Sequence, residues 1–210
     1  MVKIIADIGS CHGGRPDYAR EAIDIAKDAG VDVVKFQLFK GDKNGNIELP
    51  RQFWPDIVKH AREVGIDIFA SVFDEDAIDL LKETGIKKAK LAYSQNFNLK
   101  LIKKLKEEEF EIWASGGTEN FPTYANVKLF CIPQYPVKTG VTTFVGDTVL
   151  FNGLSSHWLG YKEDMKTLAH LKNWKYLEKH FHTSYKVDCP DYWFALNPKE
   201  LKEMVKCLKS

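Results

Sequence analysis

Eight short apolar runs, separated by segments whose apolar residues recur every three or four positions, leave this 210-residue chain few folds to choose from. The runs fall at 2–10, 32–39, 67–73, 88–93, 110–115, 127–132, 152–157 and 176–182, and helical periodicity at 16–29, 52–64, 75–84, 99–108, 163–171 and 199–208. In the first helical segment Tyr18, Ala22, Ile25, Ala26 and Ala29 make one stripe, and Gly30, Gly65 and Gly85 supply the residue a helix end prefers. Strands alternating with helices imply a parallel sheet with helical crossovers. No GxGxxG follows the first strand, so a closed (β/α)8 TIM barrel is expected rather than an open dinucleotide-binding sheet. At 210 residues the barrel is compact, since about 250 is usual. Gly, Thr and Pro replace helical periodicity at 117–126 and 137–151, so the crossovers after strands five and six are expected to be short or irregular. No linker or low-complexity tract interrupts 1–210, which reads as one domain.

Charge narrows the partners. Thirty Lys and Arg against 29 Asp and Glu give no basic footprint for nucleic acid, and no run approaches membrane-spanning length. The four cysteines stand far apart without CxxC spacing, which suits a reduced, cytoplasmic protein.

A barrel demands that functional side chains gather at the C-terminal ends of its strands, facing inward. Here strand one ends with Asp7, Gly9 and Cys11 in period two, and Lys35, Gln37, Ser71, Lys90, Ser115, Ser155, His157, Glu178 and His180 occupy such positions on the other strands. A ring of buried polar groups costs several kcal/mol unless something satisfies it. Lys35 and Lys90 sit among apolar neighbours; with Ser71, Ser115 and Ser155 they form an anion site, or else each pairs internally with a carboxylate such as Asp7 or Glu178. On the first reading, Lys90→Met weakens anion binding and leaves folding intact. Alternation puts Glu178, His180 and His182 on one face of strand eight, with Asp188, Cys189 and Asp191 just beyond. That composition suits a divalent metal, and equally a solvated surface strand.

In order along the chain stand IADIGSCHGG (5–14), DVVKFQLF (32–39), GIDIFASVFD (65–74), KLAYS (90–94), ASGG (114–117), CIPQYP (131–136), GLSSHWLG (153–160), EKHFH (178–182) and PDYWFALNPKEL (190–201). Together these blocks resemble the N-acetylneuraminate (sialic acid) synthase family, over nearly the whole barrel. The resemblance implies condensation of phosphoenolpyruvate with a sugar-like aldehyde, giving a 3-deoxy-2-keto sugar acid and phosphate. It implies that His157 and His180 hold a divalent metal, manganese by preference, with Asp191 matching an acidic residue near the sugar and metal and expected as the carboxylate ligand. Such nitrogen and carboxylate donors also suit zinc or iron, and Cys11 is an optional further ligand because distantly related 3-deoxy-octulosonate phosphate synthases use a cysteine at the end of the first strand. The phosphoenolpyruvate pocket would comprise Lys35, Ser71, Lys90, Ser115 and Ser155. Gln37, Tyr135 and Gln95 would line the substrate site, with Asp7, Lys35, Lys90 and Asp191 in catalytic roles. Homo-oligomerisation is also open.

The departures matter. Asp7 stands where the family has a longer glutamate, Gln95 where a glutamate meets the acceptor, Ser156 where an aspartate precedes the metal histidine, and Cys11 where asparagine is usual. Cys11 is a ligand or simply a buried thiol. The barrel is expected alone, without the family's antifreeze-like C-terminal domain. Two other functions stay open: a non-catalytic ligand-binding barrel, and a metal-dependent lyase or isomerase acting on a phosphorylated small molecule.

Overall fold

The computed structural model describes residues 2–41, 44–138, 150–170 and 174–210. Eight parallel strands close into a barrel in chain order: β1 (Lys3–Gly9), β2 (Val33–Leu38), β3 (Asp67–Val72), β4 (Lys88–Leu91), β5 (Glu111–Gly116), β6 (Val127–Cys131), β7 (Gly153–Ser156) and β8 (Tyr176–His180). Helices α1 (Pro16–Asp28), α2 (Trp54–Val64), α3 (Glu75–Glu83) and α4 (Leu99–Glu107) follow the first four strands, and α5 (Lys162–His170) and α6 (Pro198–Lys209) follow β7 and β8. No helix joins β5 to β6; the short crossover expected there is present. Residues 139–149 of the next crossover, and Leu171 at the expected end of α5, lie outside the described residues. Among the described residues no helix is long and apolar enough to cross a membrane.

The expected elements shift slightly where local chemistry intervenes. Helical periodicity starts at 52, but the α-helix begins at Trp54 after a 3-10 turn over Arg51–Phe53, because Pro55 has no N–H to close an α-type bond. Strand eight ends at His180, so His182 leaves the shared face expected for it. Its Nδ1 faces the Thr183 carbonyl and its ring packs on Tyr192, 4.3 Å between centroids.

Two periodicities build the core. Apolar stripes such as Ala19, Ala22, Ile23 and Ala26 of α1 are buried against the barrel exterior. Inside, Phe69, Trp113 and Tyr176 pack with centroids 5.4 and 4.6 Å apart and floor the barrel. Each lies two residues before a pocket residue (Ser71, Ser115, Glu178), so strand alternation sets an apolar floor beneath a polar ring.

His12, beyond the end of β1, is buried; its Nδ1 accepts from the Gly14 N–H at 2.9 Å. Burial lowers its pKa to about 4, against about 6.5 in an unfolded chain. The unfolded state therefore binds a proton the folded state refuses, and stability falls as pH drops from about 6.5 towards 4, by roughly 3 kcal/mol at most. His12→Gln, which keeps an acceptor, is expected to flatten that slope in urea titrations at stepped pH. Parallel slopes in the two proteins would assign the titration elsewhere.

Candidate active site

Register gathers the polar ring. Asp7 pairs in the ladder with Lys35 on one side and His180 on the other, Ser71 with Lys90, and Ser155 with Glu178. Closure then brings side chains distant in sequence into contact across the barrel. Lys35 Nζ donates to Asp7 Oδ2 at 2.6 Å and Ser71 Oγ at 3.1 Å, and lies 3.7 Å from Glu178 Oε1. Lys90 donates to Glu178 Oε1, which also accepts from Ser155 Oγ at 2.9 Å. Each lysine therefore meets a carboxylate, the internal pairing raised from sequence.

Glu178, given no functional role from sequence, stands between both lysines. Burial alone would raise its pKa, but Lys35 and Lys90 overcome this and hold it at about 2. Burial lowers Lys90, with the Lys35 charge adding to the effect, whereas Asp7 and Glu178 more than offset burial at Lys35 and raise it. In the sequence Glu178 stood as a carboxylate at an inward strand position, with pairing to a buried lysine raised as one alternative; that it stands between both lysines was not readable.

The second half of the site is imidazole and carboxylate. His180 Nε2 lies 3.3 Å from Asp7 Oδ2, and its Nδ1 lies 3.8 Å from Asp191 Oδ2. The His157 ring sits beside it, 5.5 Å between centroids, and Phe194 packs edge-on against both. Burial and the neighbouring His180 push His157 well below its ordinary pKa, so it is a neutral donor. Three buried polar atoms of this pocket have no hydrogen-bond partner among the described residues: Ser115 Oγ, Glu178 Oε2 and His180 Nδ1. Each such atom costs about 1–3 kcal/mol unless something else satisfies it.

Asp7, Lys35, Gln37, Ser71, Lys90, Ser115, Tyr135, Ser155, His157, His180 and Asp191 all line this one pocket, joined by Phe73, Tyr93, Cys131 and Glu178. Gln95 does not; it lines a wider neighbouring cavity of about 390 Å³ with Asn44, Asn46, Asp74 and Ser94, and Gln37 and Phe73 belong to both. Cys11 lies outside both, packed with Val187 and Cys189, its sulfur 3.8 Å from that of Cys189. The hydrogen bond to Cys189 and burial raise its pKa well above the ordinary value, keeping it a thiol in this setting.

Gly9 makes this junction possible. Its φ is +52°, and a Cβ there would lie 2.3 Å from Asp191 Oδ2 and 3.2 Å from His180 Nδ1. Gly9→Ala is expected to cost about 1–2 kcal/mol in backbone strain and to push Asp191 off His180. Urea unfolding and a crystal structure of the variant check both, and an Asp191 left in place would refute the steric account.

A parallel barrel with lysines, carboxylates and imidazoles gathered at the carboxyl ends of its strands defines a (β/α)8 protein built around a buried charged pocket. The NeuB family pattern matches residues 41–210, and the chain belongs to the NeuB family. It is 26% identical to the N,N'-diacetyllegionaminic acid synthase of Legionella pneumophila, over 98% of this chain and 71% of that protein. It is also 26% identical to the spore coat polysaccharide biosynthesis protein SpsE of Bacillus subtilis, over 97% of this chain but 66% of that one, just under two thirds of its length. Its fold matches the crystal structure of an N-acetylneuraminic acid synthetase from Leptospira borgpetersenii with a TM-score of 0.86 at 24% identity, covering 98% of this chain and 81% of the other.

Proposed function

We propose that the protein condenses phosphoenolpyruvate with a sugar-like aldehyde, releasing phosphate and forming a 3-deoxy-2-keto sugar acid. The observation that carries this is the buried pocket in which two lysines, three serines and two histidines converge, with Ser115 Oγ and His180 Nδ1 unpartnered. Family membership and the synthase names of relatives support the same class of reaction.

Lys35, Lys90 and the three serines bind the phosphate and carboxylate groups, the lysines exchanging part of their contact with Asp7 and Glu178 for the ligand. Two ammonium groups against Asp7, Glu178 and Asp191 leave the pocket short of positive charge for such an anion. A divalent cation fits that deficit: His157 is neutral, His180 Nδ1 is free and Asp191 is 3.8 Å away. Among the described residues no three such side chains already enclose a metal-sized point, so seating an ion requires them to close in. Nitrogen and carboxylate donors suit manganese, zinc or iron. When bound, the metal ion supplies Lewis-acid polarisation of the acceptor carbonyl oxygen.

The methylene carbon of phosphoenolpyruvate forms the new bond to the aldehyde carbon, whose oxygen takes up a proton to become the hydroxyl. Water then adds at the neighbouring carbon, the one bearing the phosphate, Asp7 takes the water's proton, and the bond from that carbon to the phosphate oxygen breaks to release phosphate and leave the 2-keto group. The aldehyde's polyol chain occupies the wider cavity, where Gln37, Asn44, Asn46 and Gln95 offer amide donors and acceptors. Purified protein is expected to release phosphate from phosphoenolpyruvate only when manganese and an amino-sugar aldehyde are both present. Release without aldehyde, or none across an aldehyde panel, overturns the reading.

A further inference from the structure

Behind the pocket lies a second buried charge cluster that the pocket chemistry does not use. Lys179 stands between Glu178 and His180 on β8, so its side chain leaves the opposite face of the strand, towards the helical layer. It is fully buried, as is its partner Asp164 on the first turn of α5, with Nζ 3.0 Å from Asp164 Oδ2. The same ammonium donates to Ser156 Oγ at 3.2 Å and to the Trp158 carbonyl oxygen at 2.6 Å. Those two residues flank His157. One cation thus grips the chain immediately before and immediately after a pocket histidine, from behind.

Such a pair is a poor source of stability, because desolvating both charges costs as much as their attraction returns; apolar residues of similar volume often serve as well or better. What the ammonium provides and an apolar side chain cannot is direction. Its hydrogen bonds fix the Trp158 carbonyl and the Ser156 hydroxyl, and with them the orientation of the intervening peptide units. From the other side the Val137 N–H donates to the His157 carbonyl at 2.9 Å, so the backbone at this residue is held on both faces.

We propose that the Lys179–Asp164 pair is a positioning device for the pocket: it fixes the end of β7 so that His157 presents its ring beside His180. Helix α5 contributes the counter-charge near its N-terminal end, where the helix dipole favours a carboxylate. The inference rests on the assignment of His157 to the reacting pocket.

The test reads the ring directly, with no substrate or metal present, in protein labelled with nitrogen-15 histidine and with the His157 signal assigned by its loss in His157→Gln. The Lys179→Met/Asp164→Leu double variant leaves no lone buried charge, so it is expected to fold with an unfolding midpoint equal to or above that of the wild type. Its His157 ring signal is nevertheless expected to broaden or split. The Ser156→Asp/Asp164→Asn variant returns a carboxylate to the ammonium from the position that already reaches it, and is expected to restore one sharp signal. A sharp, wild-type-like His157 signal in the folded Lys179→Met/Asp164→Leu protein overturns the proposal. Should that protein not fold, a displaced or split signal in Ser156→Asp/Asp164→Asn overturns it instead, and a wild-type signal supports it. Failure of the proposed condensation would show separately, as absent phosphate release by the wild-type protein.

Discussion

Lys90→Met is expected to lose at least a hundredfold in phosphoenolpyruvate affinity and, in addition, about 3–5 kcal/mol of stability. The sequence alone pointed to an intact fold, because methionine keeps the stem and removes a buried charge. The structure reverses that part. Lys90 is not a lone charge: it donates to Glu178 Oε1, which among the described residues otherwise keeps the Ser155 hydroxyl at 2.9 Å and Lys35 at 3.7 Å. Removing Lys90 leaves a fully buried carboxylate without its directly hydrogen-bonded ammonium, with Lys35 as its remaining counter-charge. Lys90→Met/Glu178→Gln should recover most of the stability without recovering the anion affinity, as urea unfolding and calorimetric titration of both variants will show. Wild-type affinity in the double variant would remove Lys90 from the site. Glu178 also gives the pH signature. Its folded pKa of about 2 lies below an unfolded value near 4.3, so its stabilising contribution is complete above the unfolded value and fades as pH falls towards 2. The stability gap between wild type and Glu178→Gln is therefore expected to close on acidification.

His180→Ala is expected to abolish specific manganese binding, with His157→Ala equally severe and Asp191→Asn close behind. His180 is the junction of the site, with one ring nitrogen 3.3 Å from Asp7 and the other, unpartnered, 3.8 Å from Asp191. Losing it removes a donor and frees both carboxylates from their common neighbour. Cys11→Asn should change manganese affinity by no more than a few fold, because that thiol packs with Val187 and Cys189 outside the pocket. Free manganese measured by electron paramagnetic resonance decides the series without reference to turnover, and phosphate release should disappear in step with binding. Wild-type manganese affinity in His180→Ala would sink the metal assignment.

The sequence by itself determined the barrel and most of its pocket. Both rest on local rules: a period of two in the strands, a period near 3.6 in the helices, and polar residues at inward strand ends. Those rules suffice to choose Asp7, Lys35, Ser71, Lys90, Ser115, Ser155, His157 and His180, all of which line the pocket. They fail where the backbone stops being a strand. Gly9, at φ +52°, turns the chain after Asp7, so counting onwards by twos sends Cys11 to the wrong place. Likewise β8 ends at His180, and His182 follows a different path. Tertiary structure alone decided which charge answers which. Lys90 meets Glu178 from 88 positions away because β4 and β8 face each other across a closed barrel, and Lys179 meets Asp164 because α5 packs behind β7 and β8. Side-chain direction follows from adjacent residues, whereas partnership follows from how the whole sheet curves and closes, and no local pattern encodes that.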